Sequence, residues 1–466
     1  MKKILLLPAV LLLAGTTFSA ATYLDDIGYT QLSLELGGAL PTGAGITVSQ
    51  IEAQVSTNYR PDPSGAFTGV SFSYPDSSGL STGVSSHATT VGGYFYGDSS
   101  MANGVSNVAA YEANRWLTDW LQAGSTSAPD ASLGQVQNFS WIGTTGNATS
   151  DTFILARMDY AINRDGIIAV FGLNNGVGSV PNLMGSGFNG ITVGRTDGLH
   201  SYGTTSASLA STYANSRRKP DLVAPASASS WATPIVSSAS VLLLETANGM
   251  AGTDDSRPEV VKSILMAGAT KAEFVDWSNS STQPLDDKYG AGELNIRNSY
   301  QIMTAGQQNG SLTPASTVSS TGWDWGSAAH DTSMLYFFDL SASSSLSAVL
   351  TWNIQVVPNG DWSSLSLSLE SLYLRLYQAT AFTLGALVAE SVSNLDNVQL
   401  IWAESLASGR YALQVSNVGT TGTADYAVAW QSSSLAPVPE PATFWILLAF
   451  GGAALLFRFR IRARQV

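Results

Sequence analysis

The chain contains no cysteine. Disulfides and thiolate metal sites are therefore excluded, while oxidising compartments stay open to it. Histidine is almost as scarce: His87, His200 and His330 are the only three in 466 residues. Any chemistry that needs an imidazole must choose among them. Charge is thin as well, with Asp, Glu, Lys and Arg at 12% of the chain against ~25% in an ordinary soluble domain. Cations are the scarcer sign, and the net charge is −13. Such a chain repels phosphate backbones, so a nucleic-acid partner is not expected. What is abundant is glycine, at 44 residues, and apolar surface, at 44% of the sequence. That profile suits an extracellular protein rich in strands and loops, long enough for two domains and targeting segments.

The ends read as addresses. Met1–Lys3 carries two positive charges, Ile4–Ala14 is apolar apart from Pro8, and Ser19 and Ala21 are spaced for signal-peptidase cleavage. Residues 1–21 are thus expected to be a secretory signal peptide, with a short membrane anchor as the other reading. At the far end, Val438-Pro-Glu-Pro-Ala-Thr443 precedes the apolar run Phe444–Phe457 and then Arg458, Arg460, Arg462 and Arg464. That run is shorter than the ~20 residues that span a bilayer comfortably, and the arginines would stay on the cytoplasmic side. The order of motif, apolar segment and basic tail resembles the PEP-CTERM sorting signal of Gram-negative bacteria. The resemblance implies that residues 435–466 anchor the chain transiently, until an exosortase-type enzyme cuts near the Pro-Glu-Pro motif.

Between the ends the periodicity changes once. Ile46–Ile51, Gly166–Phe171 and Gly190–Val193 read as short buried strands, and Tyr111–Gln122 and Asp151–Arg164 as helices. Pro258–Met266 reads as a helix whose start has capping-box spacing, Ser256 to Glu259. Strands alternating with helices predict an α/β domain with a mainly parallel sheet over residues 22–306. Residues 307–319 are rich in Ser, Thr, Gly and Gln, and read as a linker. Over 320–434 the runs Leu335–Leu340, Ser347–Asn353, Leu372–Leu376, Val398–Trp402, Arg410–Val415 and Tyr426–Trp430 predict an all-β sandwich. Trp323, Trp325 and Trp430 are expected in its core. Gly409–Val415 weakly resembles a strand of the pre-peptidase C-terminal module.

Seven segments stand out, the last of them structural. In chain order they are Gly45-Ile-Thr-Val-Ser-Gln-Ile-Glu52, His87-Ala-Thr-Thr-Val-Gly-Gly93, Asn138-Phe-Ser-Trp-Ile-Gly143, Val170-Phe-Gly-Leu-Asn-Asn-Gly176, Lys219-Pro-Asp-Leu-Val-Ala-Pro225, Ser230-Trp-Ala-Thr-Pro234 and Lys288-Tyr-Gly-Ala-Gly-Glu-Leu-Asn295. The series resembles the subtilisin-like (subtilase) serine peptidases from roughly residue 40 to residue 300. The resemblance implies a doubly wound, mainly parallel sheet. It also implies Ser230 as nucleophile, at the start of a helix that continues through the apolar run Ile235–Leu244. A hydroxyl needs a neighbouring base with a pKa near 7, and His87 fills that place. Asn174, or Asn175 by a one-residue slip, takes the place of the oxyanion asparagine. Ser140, Trp141 and Gly143 lie on the edge that pairs with a substrate backbone.

The third member departs from the family, which has aspartate where Glu52 stands. A glutamate can also fix the imidazole tautomer and stabilise imidazolium. It can equally be the relic of a dead site. Glycines beside Glu52 and His87 are lost, and Ala226–Ser229 is a short loop before the serine. No cofactor or metal is implied, and Asp254-Asp255 and Asp286-Asp287 read as solvated turns. The functional expectation is a serine endopeptidase of the cell surface or extracellular matrix, acting on polypeptides and processed by signal peptidase and an exosortase. The alternative is an inert subtilase-fold protein that binds peptides or exopolymer.

Overall fold

The computed structural model describes residues 22–434 except 76, 132, 206–216 and 421. The expected signal peptide and the C-terminal sorting segment lie outside the described residues. Seven short segments form one sheet: β1 Thr47–Glu52, β2 Ser71–Ser73, β3 Asn107–Glu112, β4 Val136–Phe139, β5 Ile168–Gly172, β6 Ile191–Arg195 and β7 Leu222–Ala224. Their order is β2-β3-β1-β4-β5-β6-β7, and every neighbouring pair is parallel. β4, β5 and β7 are buried along their whole length. Burial on both faces is why these strands read as unbroken apolar runs. From β1 the chain builds outward to β3 and β2 on one side, then to β4–β7 on the other. This is the subtilisin-like, doubly wound α/β class. Its strand order reverses beside β1, and the carboxyl ends of strands at such a point form a crevice.

Five helices matter here: α1 Ser86–Phe95, α2 Ala148–Asp165, α3 Ser229–Asn248, α4 Pro258–Gly268 and α5 Ile296–Thr304. Ser85 caps α1 by accepting from Ala88 N at 3.3 Å, and Asn147 caps α2 by accepting from Ser150 N at 3.0 Å. α3 is buried almost all round and forms the centre of the core beneath the sheet. Its interior hydroxyls bond back along the helix, as Ser240 does to the Val236 carbonyl at 2.8 Å. The Tyr289-Gly-Ala-Gly stretch fits through its glycines. A Cβ on Gly290 would meet Asp221 O at 2.5 Å, and one on Gly292, at φ +120°, would meet Thr270 O at 2.1 Å.

Three local expectations need correction. The helix expected over Tyr111–Gln122 is a strand end followed by one helical turn at Ala113–Arg115 and a wider turn at Trp116–Trp120. Tyr111 and Glu112 sit in register with Ile51 and Glu52, so pairing with β1 overrides the helical pattern. No capping box starts α4: its N-cap is Arg257, and the Glu259 carboxylate instead accepts from Trp325 Nε1 at 3.0 Å. Asp255 and Asp286 are buried rather than solvated, and Asp286 accepts from the backbone N–H groups of Ser278, Lys288 and Tyr289.

The second unit is a sandwich of two antiparallel sheets. Its strands are β8 Thr321–Ala329, β9 Ser333–Leu340, β10 Ser344–Thr351, β11 Gln355–Asn359, β12 Asp361–Ser368, β13 Leu372–Thr380, β14 Thr383–Ser391, β15 Val398–Leu406, β16 Gly409–Asn417 and β17 Thr423–Ser434. One sheet runs β8-β17-β10-β15, the other β9-β16-β13-β14, and β11 and β12 make a separate hairpin. Trp430, Tyr336 and Tyr426 fill the space between the sheets. The outward side of the first sheet is apolar too. Trp323, Val349, Val398, Leu400, Ala427 and Ala429 join the same buried cluster as α3, α4 and α5. Polar ties cross the junction, from Trp323 Nε1 to Met303 O at 3.1 Å and from Asn397 Nδ2 to Phe188 O at 3.1 Å. Residues 307–319 lie along the sandwich, with Gln308 N donating to Trp323 O at 2.7 Å and Val318 N to Phe337 O at 2.8 Å. Among the described residues no helix is long and apolar enough to cross a membrane.

Candidate active site

The carboxyl ends of β1, β4 and β5 deliver Glu52, Ser140 and the 173–176 loop to one crevice, where α1 and α3 begin. Glu52 ends β1 almost fully enclosed, at 1% exposure. Its Oε2 lies 2.8 Å from His87 Nδ1 on the first turn of α1. An ionised carboxylate can only accept, so Nδ1 carries the ring proton and Nε2 presents its lone pair. Burial pushes the Glu52 carboxyl above its ordinary range, against the opposing bond from His87. That same bond raises His87 above its ordinary 6.5, and burial opposes it. Each shift has the cause expected where a buried carboxylate meets a partly exposed imidazole.

The other oxygen of Glu52 is also held. Gln50 Nε2 donates to Glu52 Oε1 at 2.9 Å and to Ala88 O at 2.8 Å. The Tyr96 hydroxyl donates to Gln50 Oε1. Sequence reading missed both side chains. Gln50 had a signal, since residues two apart on a strand share a face. Tyr96 had none, because it reaches the site only through the geometry of α1.

Ser230 is the second residue of α3, and Trp231 brings its indole to 5.1 Å from the His87 ring. Tyr94 stacks near Trp231, at 6.3 Å between ring centres. The first N–H groups of a helix have no intrahelical acceptor and sit at its positive end. One of them, Ser229 N, is taken by Asn175 Oδ1 at 2.8 Å, and Ser229 Oγ bonds the same atom at 3.1 Å. Asn175 therefore braces the helix start. Asn174 is exposed; its backbone pairs with Ser201, and its side chain makes no hydrogen bond among the described residues. The Ser230 hydroxyl makes none either.

The edge beyond β4 is tied to α3 by a polar string. Ser237 Oγ donates to Asn138 Oδ1 at 2.9 Å, Asn138 Nδ2 to Ser140 Oγ at 2.9 Å, and Ser140 Oγ to Ser230 O at 3.0 Å. Ser140 is buried and Trp141 half-buried. The Gly143 carbonyl accepts from Leu183 N at 3.1 Å. Ile142, at 42% exposure, is a residue that the motif comparison passed over.

The two other histidines stand apart. His200 is fully buried, with Nδ1 accepting from Arg195 N at 3.1 Å and Nε2 on Lys288 O at 2.9 Å. His330 lies in the sandwich and pairs with Asp331 at 3.1 Å. No cluster of three or more acidic or imidazole side chains able to hold a metal occurs among the described residues.

A family model described as the PEP-CTERM protein-sorting motif matches residues 437–462. No curated protein matches the chain. Among solved structures, the prenylagaramide maturation protease PagA is 18% identical, with a TM-score of 0.37 over 55% of this chain and 93% of that one. A protease from Pseudoalteromonas arctica is 16% identical, with a TM-score of 0.38 over 60% of this chain and 97% of that one. The PatG macrocyclase in complex with peptide is 13% identical, with a TM-score of 0.38 over 60% and 97%. The chain thus carries a PEP-CTERM motif, which marks secretion and surface sorting in Gram-negative bacteria, behind a subtilisin-like α/β unit and a β-sandwich.

Proposed function

We propose that this protein is a secreted, surface-associated serine endopeptidase that cleaves polypeptides through an acyl-enzyme. The observation that carries the reading is the Glu52–His87 contact of 2.8 Å, with the His87 ring 5.1 Å from the indole of Trp231, the residue after Ser230. Ser230 Oγ attacks the scissile carbonyl carbon while His87 Nε2 takes its proton. Glu52 keeps Nδ1 protonated and stabilises the imidazolium that forms. The Ser230 N–H and the Asn174 amide receive the oxyanion, and an asparagine donor of that kind is worth ~3–4 kcal/mol of barrier. His87 then gives its proton to the leaving amine, and water attacks the acyl-enzyme with His87 again as base. The substrate backbone lies along the edge that carries Ser140, Trp141 and Gly143. The missing hydrogen bond between Ser230 and His87 fits this account, because nucleophile–base contacts are often loose until substrate binds. Signal peptidase releases the chain and an exosortase-type enzyme trims the sorting segment.

Fluorophosphonate labelling of the purified protein tests the reading. Wild type should be labelled and should cleave unfolded protein, while Ser230→Ala should do neither and keep its circular dichroism and melting temperature. A folded wild type that takes no label and still binds peptides would instead establish an inert binding protein.

A further inference from the structure

We infer that Gln50 is a positioning residue: its side-chain amide, oriented by the Tyr96 hydroxyl, holds Glu52 in the rotamer that reaches His87. This rests on the catalytic reading of the Glu52–His87 pair. Gln50 and Glu52 are two apart on β1, share a face, and are 0% and 1% exposed. A buried primary amide must satisfy two N–H donors and a carbonyl acceptor. Here the two donors go to Glu52 Oε1 and the Ala88 carbonyl, and Tyr96 donates to the oxygen. A carbonyl and a carboxylate only accept. The reversed amide would press Gln50 Oε1 against both, so chemistry leaves it one orientation.

The arrangement ties three pieces together. Ala88 follows His87 in the first turn of α1, and Tyr96 caps the last turn of the same helix. Gln50 therefore joins both ends of the histidine helix to the strand that carries the acid. It also divides the labour of the carboxylate, with Oε1 on the amide and Oε2 on the imidazole. Glutamate has one more rotatable bond than aspartate, and that torsion must be fixed if the carboxylate is to meet Nδ1 squarely. The amide bond fixes it. Donation from an amide also favours the ionised carboxylate, opposing the burial that disfavours it. The other titratable groups against the pair are few among the described residues. His87 and Tyr96 come from α1, and Tyr96 is held neutral, its pKa pushed well above the ordinary value by burial. Glu112 on β3 stands in register with Glu52, but its carboxylate is occupied by Arg115 N and Asn114 Nδ2. From β4 the register partner of Ile51 is Phe139, and from α3 the neighbour of His87 is Trp231, neither ionisable.

The test uses Gln50→Met, which keeps length and burial but removes the donors, and Tyr96→Phe, which removes only the group that orients the amide. Gln50→Met should lower kcat by on the order of 10-fold, with KM unchanged, and shift the acid limb of the pH profile upward. Tyr96→Phe should move both the same way and less. Folding is checked by melting temperature, and the pairing itself by the downfield proton resonance of His87 Nδ1 in full-length protein carrying Ser230→Ala. Gln50→Met should shift or broaden that resonance. If wild type takes fluorophosphonate but Gln50→Met matches it in rate, acid limb and resonance, the inference is overturned. A loss of rate with an unmoved limb and unchanged resonance overturns it too, since that is mere destabilisation. Failure of wild type to label defeats the catalytic reading alone, because the resonance still decides whether Gln50 positions the pair.

Discussion

His87 and His200 are the same side chain held in opposite tautomers. His87 has its proton on Nδ1, facing a carboxylate, and turns Nε2 toward a crevice with its ring 5.1 Å from Trp231. His200 accepts at Nδ1 from Arg195 N, so its proton is on Nε2 and donates to Lys288 O. One ring keeps a lone pair free; the other has spent both nitrogens on the backbone. Their proton affinities diverge accordingly. The Glu52 hydrogen bond pushes His87 above 6.5, whereas burial pulls His200 down to about 4. The two environments separate the proposed base from a spacer by geometry as well as by motif.

The comparison breaks most visibly in reciprocal substitutions. His87→Ala should reduce kcat/KM by at least about 10³-fold, because the proton shuttle is gone. Its melting temperature should stay close to wild type, since the ring is partly exposed. His200→Ala should do the reverse. It leaves Arg195 N and Lys288 O without partners and opens a cavity beside Gly194, whose missing Cβ would lie 2.4 Å from the ring. A loss of about 2–4 kcal/mol of stability is expected, with kcat per folded molecule unchanged. Denaturant titration together with active-site titration measures both. A His200 variant that is stable but slow would erase the distinction.

A finer cut concerns the acid that makes His87 different. Glu52→Asp retracts the carboxylate by about one methylene, and neither oxygen then meets its present partner. Misplacement near 1 Å can lower rate by about 10²-fold, so the aspartate variant should be slower despite restoring the residue found in subtilases. A rise in kcat/KM with Glu52→Asp would mean that the backbone holds an aspartate geometry and the glutamate is merely tolerated. Unchanged activity in Glu52→Ala would leave Ser230 and His87 as a dyad.

Much of this contrast was legible beforehand, and the illegible part has a physical reason. Short apolar runs bounded by glycine announced β5 and β6, because a parallel sheet buries both faces. The motif around His87 separated it from His200 and His330. The Gln50 and Tyr96 supports were hidden, because their bonds depend on how α1 lies against β1, not on local sequence. Spacing favoured Asn174 and left Asn175 open by a one-residue slip; the hydrogen bonds from Ser229 to Asn175 give the latter a structural task. The turn of Gly143 toward Leu183 was invisible for the same reason, since its partner lies forty residues on in an irregular loop.

The most gradual expected effect is also the cleanest test of His200 as a spacer. Its pKa is about 4 in the folded protein against an ordinary 6.5, so between those values the unfolded chain binds the proton and the folded one does not. Stability must then rise with pH across that window. It is complete above 6.5 and is lost as pH falls toward 4. A shift of that size corresponds to roughly 3–4 kcal/mol at most, spread over the whole window. His87 contributes with the opposite sign, since its folded pKa is raised: its share is present below 6.5 and is lost as pH rises through the folded value. The two slopes occupy neighbouring windows and can be told apart by substitution. Urea midpoints of wild type and His200→Gln, measured from pH 7 to pH 4, should converge at the acid end, because glutamine cannot take up the proton. Midpoints that stay parallel would mean that His200 titrates normally and that its burial carries no electrostatic cost.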